Sequence, residues 1–111
     1  MATTYKALSI NGRNTYSLDF TNYLKPDELV VVYSLTPEDD EVLKVELSQI
    51  NKALYLNDDM EKVEINKGLI FELKSIGIAE TIAYIVIDFE GNLGSKNSFR
   101  KAVPIETNIE N

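Results

Sequence analysis

One stretch limits what this chain can fold into: Thr81-Ile82-Ala83-Tyr84-Ile85-Val86-Ile87-Asp88-Phe89. Seven of its nine residues are apolar or aromatic, and neither Gly nor Pro interrupts it. Such a run predicts a strand and is too short to stand as a helix. Alternate residues of a strand face opposite ways. Ala83, Ile85, Ile87 and Phe89 therefore share one face; Ile82, Tyr84, Val86 and Asp88 share the other. A strand apolar on both sides belongs in the middle of a sheet. A second layer of the same domain covers its outer face, or a partner does.

The rest of the chain reads as further short strands between turn residues. Residues 3–10 are a weakly patterned first strand, closed by the turn pair Asn11-Gly12. From Thr15 to Phe20 the pattern alternates, with Tyr16, Leu18 and Phe20 inward. Tyr23 and Leu24 lie in a connection and are placed to plug the end of the core. Glu28 to Thr36 is a second central-strand candidate, with Leu29, Val31, Tyr33 and Leu35 on one face and Val30 and Val32 on the other. Glu41 to Ser48 alternates again, with Leu43, Val45 and Leu47 inward. Residues 49–59 are ambiguous: a short strand at Ala53-Leu54-Tyr55-Leu56 competes with a helical turn through Leu47 to Leu54.

Lys62 to Ile65 is a short alternating piece, and Leu69 to Lys74 is a strand with Leu69, Phe71 and Leu73 on one face. The last strand runs from Ser98 to Ile105. Pro104 has no N–H to give a ladder, which puts that strand at a sheet edge. Seven to eight short, evenly spaced strands without a long helix predict one all-β domain over residues 1–111. The expected architecture is an immunoglobulin-like antiparallel β-sandwich.

Composition narrows the chemistry. The 111 residues include no Cys, no His and no Trp. Disulfides, thiolate metal sites and the usual general base are therefore absent. The acidic runs Glu38-Asp39-Asp40-Glu41 and Asp58-Asp59-Glu61 lack the spacing that a hard cation needs, and read as solvated turns. Gly91-Asn92-Leu93-Gly94 has neither the following helix nor the Lys-Ser/Thr pair of a phosphate loop. No catalytic residue, metal ligand or cofactor is expected.

With 18 acidic against 11 basic residues, the net charge is −7. That argues against binding nucleic acid or an anionic membrane surface, and for a basic partner. The N-terminus lacks a signal core, so the chain is expected to be made and kept inside a cell. The residues expected to meet a partner are Ile82, Tyr84 and Val86, with Val30 and Val32 beside them and Tyr5 as a further surface anchor. The alternative cover for that face is the segment Gln49 to Asp59.

Two groups of residues also match a known pattern. Leu18-Asp19-Phe20-Thr21-Asn22-Tyr23-Leu24, followed by Asp27-Glu28-Leu29, resembles the opening of a family of small bacteriophage virion proteins. These are immunoglobulin-like proteins of the fibre-to-tail adaptor and head-decoration type. The family's closing pattern is matched by Gly77, Ala83-Tyr84-Ile85-Val86, Gly91-Asn92 and Ser98-Phe99-Arg100. Members commonly carry Trp where this chain has Phe20 and Tyr23. The resemblance implies a non-enzymatic virion component that assembles in the host cytoplasm. Its partners would be other virion proteins of the capsid, tail or fibre, in a multi-copy symmetric assembly. The other reading is a bacterial immunoglobulin-like binding or adhesion module.

Overall fold

The computed structural model describes residues 5–77 and 80–107. Among these are nine strands: β1 (Leu8–Ser9), β2 (Arg13–Asp19), β3 (Val30–Pro37), β4 (Leu43–Ile50), β5 (Tyr55–Leu56), β6 (Lys62–Val63), β7 (Gly68–Ser75), β8 (Thr81–Gly91) and β9 (Lys96–Glu106). One sheet has the order β1-β9-β8-β3 and the other the order β2-β7-β4; β5 and β6 form a small hairpin. In the lettering of immunoglobulin domains, β2, β7 and β4 are strands B, E and D, and β3, β8 and β9 are C, F and G. The first strand joins the second of these groups, running parallel to β9. The protein is thus an immunoglobulin-like sandwich with a single parallel pair among the described strands.

The core forms where the inward faces of the two sheets meet. Ile85, Ile87, Phe71, Leu69, Leu73 and Leu43 are all fully buried or within 1% of it. Each such side chain contributes about 1.5–3 kcal/mol through removal from water. Phe20 stacks on Phe89 at 4.4 Å between ring centroids, and Phe99 lies about 6 Å from both. This aromatic stack fills one end of the sandwich; Tyr5, Tyr16 and Phe71 make a second cluster. The faces expected for residues 81–89 and 69–74 are those observed.

Several expectations are corrected. Residues 3–10 give only the two-residue β1, and Thr3 and Thr4 lie outside the described residues. The segment Glu28 to Thr36 is not central: β3 pairs with β8 alone and is an edge strand. A bulge between Val30 and Val32 reverses the expected alternation there. Two residues then oppose one, and the side chains beyond the bulge change face. Val30 is consequently 3% exposed, whereas Val31 and Val32 both point outward. A second bulge, between Val45 and Leu47, turns the expected core residue Leu47 out to 68% exposure.

Residues 47–54 contain no helical turn, since β4 runs on to Ile50. Tyr23 does not plug the core; it is half exposed and packs edge-on against Phe99. The end of β9 is not an edge, because β1 lies beside Ile105 and Glu106. The Ala102 and Glu106 carbonyls accept from the Tyr5 and Ile10 N–H groups, so even-numbered residues of β9 face β1. Pro104 therefore turns its missing donor towards β1, the shortest strand of this sheet. Nearby, the Lys6 carbonyl accepts from the Tyr16 hydroxyl at 3.1 Å.

Candidate partner-binding face

The outer face of the β1-β9-β8-β3 sheet carries the residues that the sequence singles out. Ile82, Tyr84 and Val86 point outward from β8, and Ile82 is 56% exposed. Strand register sets their neighbours: Pro104 opposes Ile82, Ala102 opposes Tyr84 and Arg100 opposes Val86. On the other flank Thr36 opposes Val86, Ser34 opposes Asp88 and Val32 opposes Glu90. Val32 thus stands on the same face, but four residues farther along β8 than Val86. That is roughly 13 Å at the rise of a strand. The polar pairs Ser34–Asp88 and Glu90–Lys96 occupy the space between.

Two expected members are not on this face. Val30 is buried, for the reason given by its bulge. Tyr5 lies in the second aromatic cluster, 5.1 Å from Tyr16, and its hydroxyl donates to the Ser17 carbonyl. Burial, reinforced by Tyr55, Asp58 and Tyr16, pushes the Tyr5 hydroxyl far above the ordinary tyrosine range. Tyr5 is a partly buried part of the sandwich wall, away from the outer face of β8.

Cover by the segment 49–59 does not occur on this sheet. The β5–β6 hairpin lies over the outer side of the opposite sheet, where a side chain at Gly68 would collide with Tyr55 and Val63. Val63 is fully buried there. The two sheets therefore differ: one has a hairpin across part of its outer surface, and the other presents Ile82 and Val32 to solvent.

Three residues organise the exposed face. The Arg100 guanidinium sits 3.7 Å above the centre of the Tyr84 ring. The same group donates twice to Glu38, from Nε at 2.7 Å and from Nη2 at 3.0 Å. Glu38 is itself fixed, since its N–H donates to the Tyr84 carbonyl. The hydrogen bond from Arg100 holds the Glu38 carboxyl below its usual range. A fork-shaped cation thus sits over an aromatic ring and meets a carboxylate along its Nε–Nη2 edge. Arg100 comes from β9 and Glu38 from the turn after β3, so nothing local in the sequence links them. Beside them is an open groove of about 440 Å³, lined by Val32, Ser34, Asp88, Glu90, Lys96 and Ser98 among others.

The acidic runs make structure. Glu38 binds Arg100, and Asp39 accepts from the Glu41 N–H. In the second run the turn is held by Asn57, whose Oδ1 accepts from the N–H groups of Asp59 and Glu61. Among the described residues, no group of three or more such side chains could hold a metal ion.

Two buried polar residues escaped sequence reading, and both fix the loops at one end of the sandwich. The Glu28 carboxylate accepts from the N–H groups of Lys25, Leu93 and Ser95 at 2.8–2.9 Å. Asn51 donates to the Ala53 and Glu64 carbonyls and accepts from the Lys67 and Gly68 N–H groups. Glu28 thus joins the loops 20–29 and 92–95, Asn51 braces 51–67 internally, and the Phe20 and Val30 N–H groups, donating to the Lys67 and Asn66 carbonyls, tie 51–67 to the first loop. These loops carry the exposed apolar side chains of Tyr23, Leu54, Ile65 and Leu93. The only sequence signal for either residue is a polar side chain beside a strand end.

No protein-family model matches the chain, and no curated protein matches it.

Proposed function

We propose that this chain is a non-enzymatic bacteriophage virion protein, either an auxiliary head-decoration protein or a tail or fibre adaptor. It acts through protein–protein contacts made in many copies. The observation that carries the reading is the outer face of β8 and β9. Ile82, Tyr84, Arg100 and Glu38 are presented there on a sheet whose inner side is core. Exposed apolar groups beside an ordered aromatic and arginine are the usual make-up of a binding surface. The paired motifs around Asp19-Phe20 and Ala83-Tyr84-Ile85-Val86 add the virion context by resemblance. A net charge of −7 favours a basic docking surface on the partner capsid, tail or fibre protein.

The second reading, a bacterial immunoglobulin-like binding or adhesion module, draws on the loop end. There Leu54, Ile65 and Leu93 stand exposed on a frame fixed by Glu28 and Asn51. Quantitative mass spectrometry of purified phage particles, with immunogold labelling against this chain, separates the two. Many copies at discrete positions on the particle are expected. Absence from particles, with label on the bacterial surface, would replace the first reading by the second.

A further inference from the structure

Among the described residues three long strands stand last in a sheet, β2, β3 and β4, and they are not alike. β2 carries Arg13 and Asp19, and side chains occupy part of its rim: Asn14 accepts from the Thr15 N–H, and the Tyr5 hydroxyl donates to the Ser17 carbonyl. β4 carries Lys44 and Glu46 and is broken by a bulge. β3, Val30-Val31-Val32-Tyr33-Ser34-Leu35-Thr36-Pro37, has no charged residue at all. Charged side chains, prolines and bulges are the devices that keep a sheet edge from pairing with another chain. β3 has such devices only at its two ends.

Backbone directions define what is open. The Glu38 N–H donates to the Tyr84 carbonyl, so residues in step with Glu38 turn their backbone groups to β8. These are Thr36, Ser34 and Val32. Tyr33 and Leu35 turn theirs outward, where no backbone partner among the described residues meets them. Above this window the Val30 N–H is taken by the Asn66 carbonyl at 2.8 Å. Below it Pro37 has no N–H. The open edge is the five residues Val32-Tyr33-Ser34-Leu35-Thr36.

We propose that this edge pairs with the same edge of a second copy of the chain, antiparallel, about a two-fold axis at Ser34. In that register Tyr33 and Leu35 of each copy exchange both backbone hydrogen bonds with Leu35 and Tyr33 of the other. Val32 lies opposite Thr36 of the second copy, a β-branched pair on the solvent face, and Ser34 lies opposite its own equivalent. Moving the axis to Leu35 would set Tyr33 against Pro37 and lose a donor. Moving it to Tyr33 would draw in Val31 at the bulge. The Ser34 register alone uses both outward residues and avoids both ends. It joins two four-stranded sheets into one of eight strands, through a self-complementary contact that closes as a dimer. The contact does not depend on the chain's being a virion protein.

Cysteine crosslinking tests the register directly, because the chain has no Cys of its own. Equivalent Ser34 positions form a non-hydrogen-bonded antiparallel pair, with Cα atoms about 4.5 Å apart, within reach of a disulfide. Equivalent Thr36 positions stand roughly 13 Å apart, beyond it. Under mild oxidation of dilute protein, Ser34→Cys should form the covalent dimer at least tenfold faster than Thr36→Cys. Equal rates, or no dimer from either folded variant, would overturn the proposal. Sedimentation velocity supplies the second arm. The unmodified chain should move from monomer to dimer as its concentration rises, and Ser34→Lys, which sets two ammonium groups face to face, should stay monomeric. A chain that is monomeric throughout, or a dimer that survives Ser34→Lys, counts against the contact.

Discussion

Gly91 and Glu28 approach so closely that no β-carbon fits between them. Gly91 ends β8, and the Glu28 carboxylate fills the space that its side chain would need while binding the turn that follows. Gly91→Ala forces a methyl group into a fully buried carboxylate and its hydrogen bonds. Overpacking of this kind costs about 1–3 kcal/mol. Urea unfolding of the variant should show a lower midpoint with an unchanged slope. A midpoint equal to that of the parent chain would mean that the loop simply gives way.

The same carboxylate sets the response to acid. Burial alone would raise the Glu28 pKa, but hydrogen bonds from Lys25, Ser95 and Leu93 outweigh it and lower the value from 4.5 to about 2. The unfolded chain takes up its proton near the ordinary value, while the folded chain resists. Glu28 therefore stabilises the fold above that ordinary value, and the contribution drains away as pH falls from 4.5 towards 2. Glu38, lowered by Arg100, acts in the same direction from an exposed position where solvent screens it. Chemical denaturation at neutral and acid pH should show a steeper loss for the parent chain than for Glu28→Gln. Parallel losses would remove Glu28 from the account.

Alkaline behaviour follows from three tyrosines: Tyr5 and Tyr16 of the second aromatic cluster, and Tyr55 of the hairpin packed over Gly68. Burial pushes the hydroxyls of Tyr16 and Tyr55 up to about 12, and that of Tyr5 higher still. These groups keep their protons in the fold longer than in the unfolded chain. Their stabilisation is complete below pH 10 and is lost as pH rises through 12. Tyrosinate absorbance should therefore rise in two phases, the later one coinciding with loss of the β-sheet circular dichroism signal. Tyr5→Phe should shrink the late phase. A single smooth phase on a chain that remains folded would contradict the packing of these rings.

Strand alternation was legible wherever a strand ran straight. Ala83, Ile85, Ile87 and Phe89 were assignable to the core because nothing interrupts the period of two between Thr81 and Gly91. The same held for Leu69, Phe71 and Leu73. It failed at Val30 and Leu47, because a bulge adds one residue without leaving a Gly or Pro to mark it. The candidate face was legible in part. Ile82, Tyr84 and Val86 follow from β8 alone. Arg100 and Glu38, which complete it, are 62 residues apart and meet only because β9 and the end of β3 flank the same strand. Glu28 and Asn51 were hidden for the same reason, since burial of a polar side chain depends on loops that fold back from elsewhere.

The two faces of β8 give the sharpest test of this arrangement. Ile85 is fully buried, whereas Tyr84 lies under Arg100 on the outside. Ile85→Asp would place a charge in the core without a partner, a cost of several kcal/mol. Whole-domain stabilities are about 5–15 kcal/mol, so little folded protein should remain. Tyr84→Lys removes the ring beneath an exposed arginine and sets a second cation beside it. Exposed contacts of that kind are worth about 0.5–1 kcal/mol, so the domain should stay folded with a slightly lower midpoint. Glu38→Gln should also have only a small effect, because it removes the exposed charge that the same guanidinium pairs with. Circular dichroism and urea unfolding of the three variants decide the matter. If Tyr84→Lys unfolds the domain as fully as Ile85→Asp does, both sides of β8 are core, and the surface that meets a partner must be sought at the loop end around Leu54, Ile65 and Leu93.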